Sequence, residues 1–191
     1  MPPRAETGLD PEGTDAFGLT RLQIEERLRR VLTDRGLAHP CYAVAAPVVC
    51  GAEEVRLLVE VRAEGISQAG DPCFPGGRIE PGESPAEAAA REMEEELGIR
   101  VEPKDFLGQL PTVQTVLGSR SAVFVCTVSE EDEKSVRLNP SEVSELLHVP
   151  LSFFLERPDA ASYPYGGHTI WGMTAGAIRH FCAAWRRAME K

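Results

Sequence analysis

Residues Gly77–Ile99 read GRIEPGESPAEAAAREMEEELGI, a glycine-proline loop followed by a helix. Ser84 is placed to cap that helix, Pro85 suits its first position, and Glu87 completes a Ser-x-x-Glu capping box. Gly98 supplies the left-handed residue that ends it. At about 100° per residue, Ala86, Ala89, Ala90, Met93 and Leu97 gather into one core-facing stripe. Glu92, Glu95 and Glu96 stand at i, i+3 and i+4 on another face.

A glutamate run on a helix is by default a solvated face. Solvated faces interleave lysine at i+4, each pair contributing about 0.2–0.5 kcal/mol. From Glu92 to Ile99 no basic residue occurs, and Glu92 opposes Glu96 at a like-charge spacing. Arg91 alone serves both matched spacings, to Glu87 and to Glu95. A hard divalent cation such as Mg²⁺ or Mn²⁺ relieves such repulsion through carboxylate oxygens.

Working outward, Gly76 and Gly77 let backbone approach a ligand closely. Tyr42–Cys50 reads as a buried strand, with Pro47 marking an edge or bulge, and Val55–Arg62 alternates as a second. Phe106–Leu110, Val113–Leu117, Ser121–Val128 and Val143–Val149 are further strand candidates. Leu19 to about Arg35 carries a helical pattern through Leu22, Leu28, Val31 and Leu32, stopped by Gly36; it either packs on the sheet or serves a homodimer. Leu151–Leu155 reads as a helical turn and Thr174 to about Ala188 as the last helix. Glu130–Lys134 reads as a solvated connection and residues 157–169 as a Pro/Gly-rich loop. This order predicts an α+β fold, a mixed sheet between helical layers. Residues 1–18 lack apolar periodicity and are expected to be a flexible tail, leaving 19–191 as a single domain.

A net charge of −10 disfavours nucleic acid and anionic membrane as partners, so any phosphate must be met by local arginines and a metal. Five scattered cysteines, without a Cys-x-x-Cys pair, signal peptide or long apolar run, point to a reducing cytoplasm. Most read as small buried hydrophobes. Cys73 lies beside the loop and is expected to be more exposed, with no histidine to activate it. His39, His148, His168 and His180 form no close-spaced pair and read as surface or packing residues, His168 alone being placed for substrate contact. Tyr163 and Tyr165 are read as packing anchors ahead of base-stacking platforms, and Trp171 as a core plug.

Gly77, Glu83, Arg91-Glu92-Met93, Glu95-Glu96 and Gly98-Ile99 resemble the Nudix box, Gly-x5-Glu-x7-Arg-Glu-U-x-Glu-Glu-x-Gly-U with U apolar. The resemblance implies an α/β/α sandwich and a hydrolase of nucleoside diphosphate derivatives. It implies Glu92, Glu95 and Glu96 as metal ligands with the Gly76 carbonyl, and Glu92 as an occasional base. It casts Arg91 and Glu83 as a structural pair, and it implies a further carboxylate outside the box, for which Glu142 and Glu145 are candidates. Arg62, Arg78 and Arg120 are available to the substrate phosphates, beside Gly76 and Gly77. Leu57-Leu58, Arg62, Phe74-Pro75-Gly76-Gly77, Asn139-Pro140 and Ile170-Trp171-Gly172-Met173-Thr174-Ala175 are similar to the coenzyme A pyrophosphatase branch. That branch usually has an arginine and a histidine where this chain has Ser67 and Gln68. Its reaction would give phosphopantetheine and adenosine 3′,5′-bisphosphate; ADP-ribose, a dinucleotide or a nucleoside triphosphate are the other substrates weighed, and a non-catalytic nucleotide-binding regulator the third reading.

Overall fold

The computed structural model describes residues 18–32, 40–114 and 118–190. In chain order these form α1 (Arg21–Val31), β1 (Tyr42–Cys50), β2 (Val55–Arg62), β3 (Pro72–Cys73), β4 (Gly76–Arg78), α2 (Pro85–Leu97), β5 (Gly108–Gln114), β6 (Arg120–Val128), α3 (Glu130–Lys134), β7 (Val143–Pro150), α4 (Leu151–Leu155), β8 (Tyr163–Tyr165), β9 (His168–Ile170) and α5 (Gly172–Met189). The expected tail, Gly36, His39 and the end of the Val113–Leu117 strand lie outside the described residues, Gly18 excepted.

The sheet is mixed, in the order β3-β2-β1-β6-β5, with β4 added to β1 and β7 to β2. β1 runs parallel to β6 from Tyr42↔Ser121 to Val49↔Val128, and the other pairings are antiparallel. Both faces are covered, which is why β1 is buried along seven successive residues. On one face Ala43 and Ala45 of β1 let α2 come close with Ala88, Ala89, Met93 and Leu97. On the other, Val44, Ala46 and Val48 meet Leu57, Val59 and Val61, under Ile24 and Leu28 of α1 and Ile178, Phe181 and Trp185 of α5. The three-layer arrangement expected from the sequence is therefore present.

Several readings are corrected. Pro47 does not mark an edge: it lies in a central strand opposite Cys126. Its missing N–H falls where β1 exchanges β4 for β2. Two residues earlier the Ala45 N–H on that side reaches the Pro75 carbonyl at 2.9 Å, and pairing with β2 starts at Val48. Leu22 is 75% exposed while Ile24 and Leu28 anchor α1, whose N-terminus is a Thr20–Gln23 capping box. Phe106–Leu110 and Val113 do not form two strands but one, β5, with an irregularity between Leu110 and Val113 around Pro111.

Glu130–Lys134 is a short helix, and Glu133 is buried against Arg56, its Oε1 accepting from Nε at 2.8 Å. The 157–169 stretch contains the hairpin β8–β9, whose turn residues Gly166 and Gly167 both have positive φ. Tyr163 is buried edge-on to Phe154, and the Tyr165 hydroxyl donates to the His148 carbonyl at 3.0 Å, so both are packing anchors. Trp171 is no core plug: it is 44% exposed and its Nε1 donates to Asp71 Oδ1 at 3.2 Å.

Candidate active site

The quoted stretch folds as its sequence dictates. Ser84 and Glu87 exchange backbone N–H bonds in a capping box, and Gly98 ends α2 at φ +69°. β4 lies against β1 with Gly77 opposite Ala43 and Gly76 opposite Val44. That pairing sets the two glycines beneath the acidic face of α2. The Gly76 N–H donates to Glu96 Oε2 at 2.8 Å, and a Cβ at Gly77 would enter the Glu92 carboxylate.

Arg91 is the hub. Its Nε and Nη2 grip Glu83 at 2.9 and 3.2 Å, and Nη1 donates to Glu92 Oε1 at 2.8 Å and Glu95 Oε2 at 3.0 Å. Nη2 also reaches the Arg78 carbonyl at 3.2 Å, tying β4 to α2. The Arg91 hydrogen bond holds the Glu83 carboxyl below its usual range, and Glu83 Oε2 accepts the Glu80 N–H at 3.0 Å. Burial pushes Glu92 up. Burial, then the charge of Glu60, pushes Glu96 up to about 9.

Glu60 is the residue that sequence reasoning missed. It is fully buried on β2, and burial pushes its carboxyl up to about 7. Its Oε1 accepts from the Cys73 thiol at 3.3 Å, while Oε2 has no hydrogen-bond partner among the described residues. Desolvation also raises the Cys73 thiol, which is therefore no nucleophile. Glu142 joins the same field, acting on Glu60, Glu92 and Glu96. The segment before it is fastened to α2, since Asn139 N donates to the Glu96 carbonyl at 2.9 Å, and Glu142 itself accepts the Ala63 N–H at 2.8 Å. Glu145 sits elsewhere: it pairs across from Val61, on the face away from α2, and meets His168 at 3.1 Å.

Of the candidate phosphate-binding arginines, Arg62 closes the following loop, its Nε donating to the Ser67 carbonyl at 2.7 Å. Arg78 lies over the Tyr42 ring at 5.7 Å, and Arg120 begins β6 at the same end of the sheet. His148 is engaged by Glu133 at 2.8 Å. Among the described residues no three acidic, histidine or cysteine side chains already form a finished metal nest. Glu92 and Glu95 are held by Arg91 and Glu96 by Gly76. The donors nevertheless fit a hard divalent cation: all are oxygens, half-buried or buried carboxylates crowd one another, and Glu60 Oε2 lacks a hydrogen-bond partner among the described residues.

The crowding predicts a pH effect on the metal-free protein. Glu60 and Glu96 hold protons in the fold at pH values where the unfolded chain has released them. Stability therefore falls as pH rises from the ordinary carboxyl range through about 7 and toward 9. Melting in the presence of chelator should be several degrees lower at pH 9 than at pH 6, and added Mn²⁺ should narrow that gap. Equal melting temperatures at both values would contradict the assigned crowding.

A model of the NUDIX domain family matches residues 39–165. The mitochondrial coenzyme A diphosphatase NUDT8 of Homo sapiens is 30% identical over 173 residues, 79% of this chain and 73% of that protein. The uncharacterized Nudix hydrolase NudL of Escherichia coli K12 is 31% identical over 177 residues, 84% of this chain and 89% of its own length. Among solved structures, a MutT protein from Methanosarcina mazei Go1 superposes with a TM-score of 0.53 at 25% identity, covering 81% of this chain and 99% of its own. No described helix is long and apolar enough to cross a membrane. With the box residues gathered around β4 and α2 and the family match spanning the sheet, the chain belongs to the Nudix hydrolases, pyrophosphohydrolases that act on phosphorus-containing anhydrides.

Proposed function

We propose that this Nudix hydrolase cleaves the diphosphate of coenzyme A or its acyl derivatives, giving phosphopantetheine and adenosine 3′,5′-bisphosphate, with Mg²⁺ or Mn²⁺ as cofactor. The observation that carries the substrate is the 30% identity, over 79% of the chain, to a coenzyme A diphosphatase. The Phe74-Pro75-Gly76-Gly77 and Asn139-Pro140 segments support it, because both meet α2 at Glu96, the first at its carboxylate and the second at its backbone carbonyl.

Glu92, Glu95, Glu96 and the Gly76 carbonyl would hold the metal, which supplies Lewis acidity toward the diphosphate oxygens. Arg91, locked by Glu83, orients Glu92 and Glu95. Arg62, Arg78 and Arg120 would bind the phosphates, and Gly77 leaves room beside Glu92. Water adds to one phosphorus, the bridging P–O bond breaks, and the departing phosphate carries the bridging oxygen. A cytoplasmic location and a homodimer belong to the same proposal, while α1 itself is taken up by the core through Ile24 and Leu28.

Ser67 and Gln68, where the branch usually has arginine and histidine, favour a second reading in which another nucleoside diphosphate derivative is preferred. Product identification across coenzyme A, acetyl-coenzyme A, ADP-ribose, a dinucleotide and a nucleoside triphosphate separates the two. Preference for coenzyme A supports the first, and faster turnover of ADP-ribose would replace it with the second. Arg62→Ala should raise KM about tenfold with a smaller change in kcat, as loss of a charge-assisted phosphate contact predicts. An unaltered KM would remove Arg62 from the substrate site.

A further inference from the structure

One acidic side chain stands on the buried run of β2, and nothing in the box pattern asks for it. Glu60 has no exposed surface, and it projects on the α2 side of the sheet, as its neighbour Leu58 does. The β2–β3 register sets Cys73 directly opposite, so the thiol donates to Oε1 and fixes the carboxylate. Oε2 is left without a hydrogen bond among the described residues. Most buried polar side-chain atoms have a hydrogen-bond partner, so an orphaned carboxylate oxygen calls for a ligand or another explanation. Here the acting neighbours are three more acids, Glu96, Glu92 and Glu142, and one cation, Arg62. Arg62 gives its Nε to the Ser67 carbonyl and also acts on Cys73 and Glu60, without closing an ion pair with Glu60 among the described residues. A lone oxygen buried among carboxylates is unfavourable until a cation arrives.

We propose that Glu60 is a further ligand of the divalent cation, offering Oε2 from β2 across from the α2 glutamates, and that Cys73 is the positioning residue that fixes it. This rests on the metal-dependent reading of the box and adds to it a carboxylate from a different element. The cation would then be gripped from the sheet as well as from the helix, and β2 and α2 would share it.

The test is a titration of the metal-free full chain with Mn²⁺ alone, with free Mn²⁺ followed by electron paramagnetic resonance and no substrate present. Glu96→Gln serves as the reference for a lost box ligand. Glu60→Gln, which keeps size and shape, should weaken Mn²⁺ binding at least about tenfold. Its metal-free melting temperature should stay equal or rise, since one of four crowded acids has been replaced by a neutral amide of the same shape. Cys73→Ala should weaken binding by a smaller factor and leave the box geometry intact. Should Glu60→Gln not fold, Cys73→Ala decides: weakened binding supports the proposal, and unchanged affinity overturns it. Wild-type affinity in Glu60→Gln beside a weakened Glu96→Gln overturns the role of Glu60 alone. Absence of Mn²⁺ binding by the wild type overturns the metal-dependent reading, and this proposal with it.

Discussion

Replacing Glu96 by Gln is expected to lower kcat by about 10³-fold, several kcal/mol of barrier, with the fold retained. Glu96 is 4% exposed, and Gly76 N–H is bonded to its Oε2. Glutamine keeps an oxygen acceptor for that N–H, so β4 should stay docked on α2. It removes the charge that, in the function proposed above, meets the cation. Burial holds Glu96 protonated up to about 9 in the metal-free protein, so the neutral amide replaces a group that is already neutral there. Melting in chelator at pH 7 should therefore be equal or higher, while steady-state turnover collapses. Retained turnover would remove Glu96 from the site, and a lower melting temperature would make the loss one of folding. Glu95→Gln should lose turnover too, with less consequence for stability, because its side chain is 52% exposed.

Gly76→Ala should have the largest effect on the fold. A Cβ there would lie 2.5 Å from the Ala43 carbonyl oxygen and 2.6 Å from the Val44 Cα, both backbone atoms of the central strand. Backbone held on both sides cannot yield as a side chain does. The cost should reach at least about 3 kcal/mol, read as a lowered denaturant midpoint or as insoluble protein. Gly77→Ala is the informative contrast. The atoms nearest its Cβ would be those of the Glu92 carboxylate, the far end of a flexible side chain. That variant should fold, with Glu92 displaced and turnover reduced. Equal stability of Gly76→Ala and wild type would mean that β4 lies farther from β1.

What could be read from the chain alone follows the range of the interactions involved. α2 was legible residue by residue because Ser84, Pro85, Glu87 and Gly98 act on their own neighbours. The strands β1, β6 and β7 were legible from apolar density and β2 from its alternation. Glu60 was not, since a glutamate alternating with valines reads as a solvent-facing position. Only α2, folded from residues well downstream, makes that face an interior one. Pro47 misled for the same reason: its tolerance comes from a change of partner strand, which no local signal carries. The β8–β9 hairpin did have a signal, Gly166-Gly167 between two short β-prone segments, hidden by the proline-rich surroundings. Trp171 shows that a large aromatic at a strand–helix junction can face outward when an acid, Asp71, takes its indole N–H.

The parallel partnership of β1 and β6 bears on how the polypeptide matures during synthesis. A nascent chain that has already released the box from the ribosome still lacks the strand against which Tyr42–Val49 must close. Until residues 120–128 emerge, the strand that β4 and the box dock onto has one flank missing. A premature stop within the intervening span should thus yield a product for proteolysis, never a smaller working enzyme.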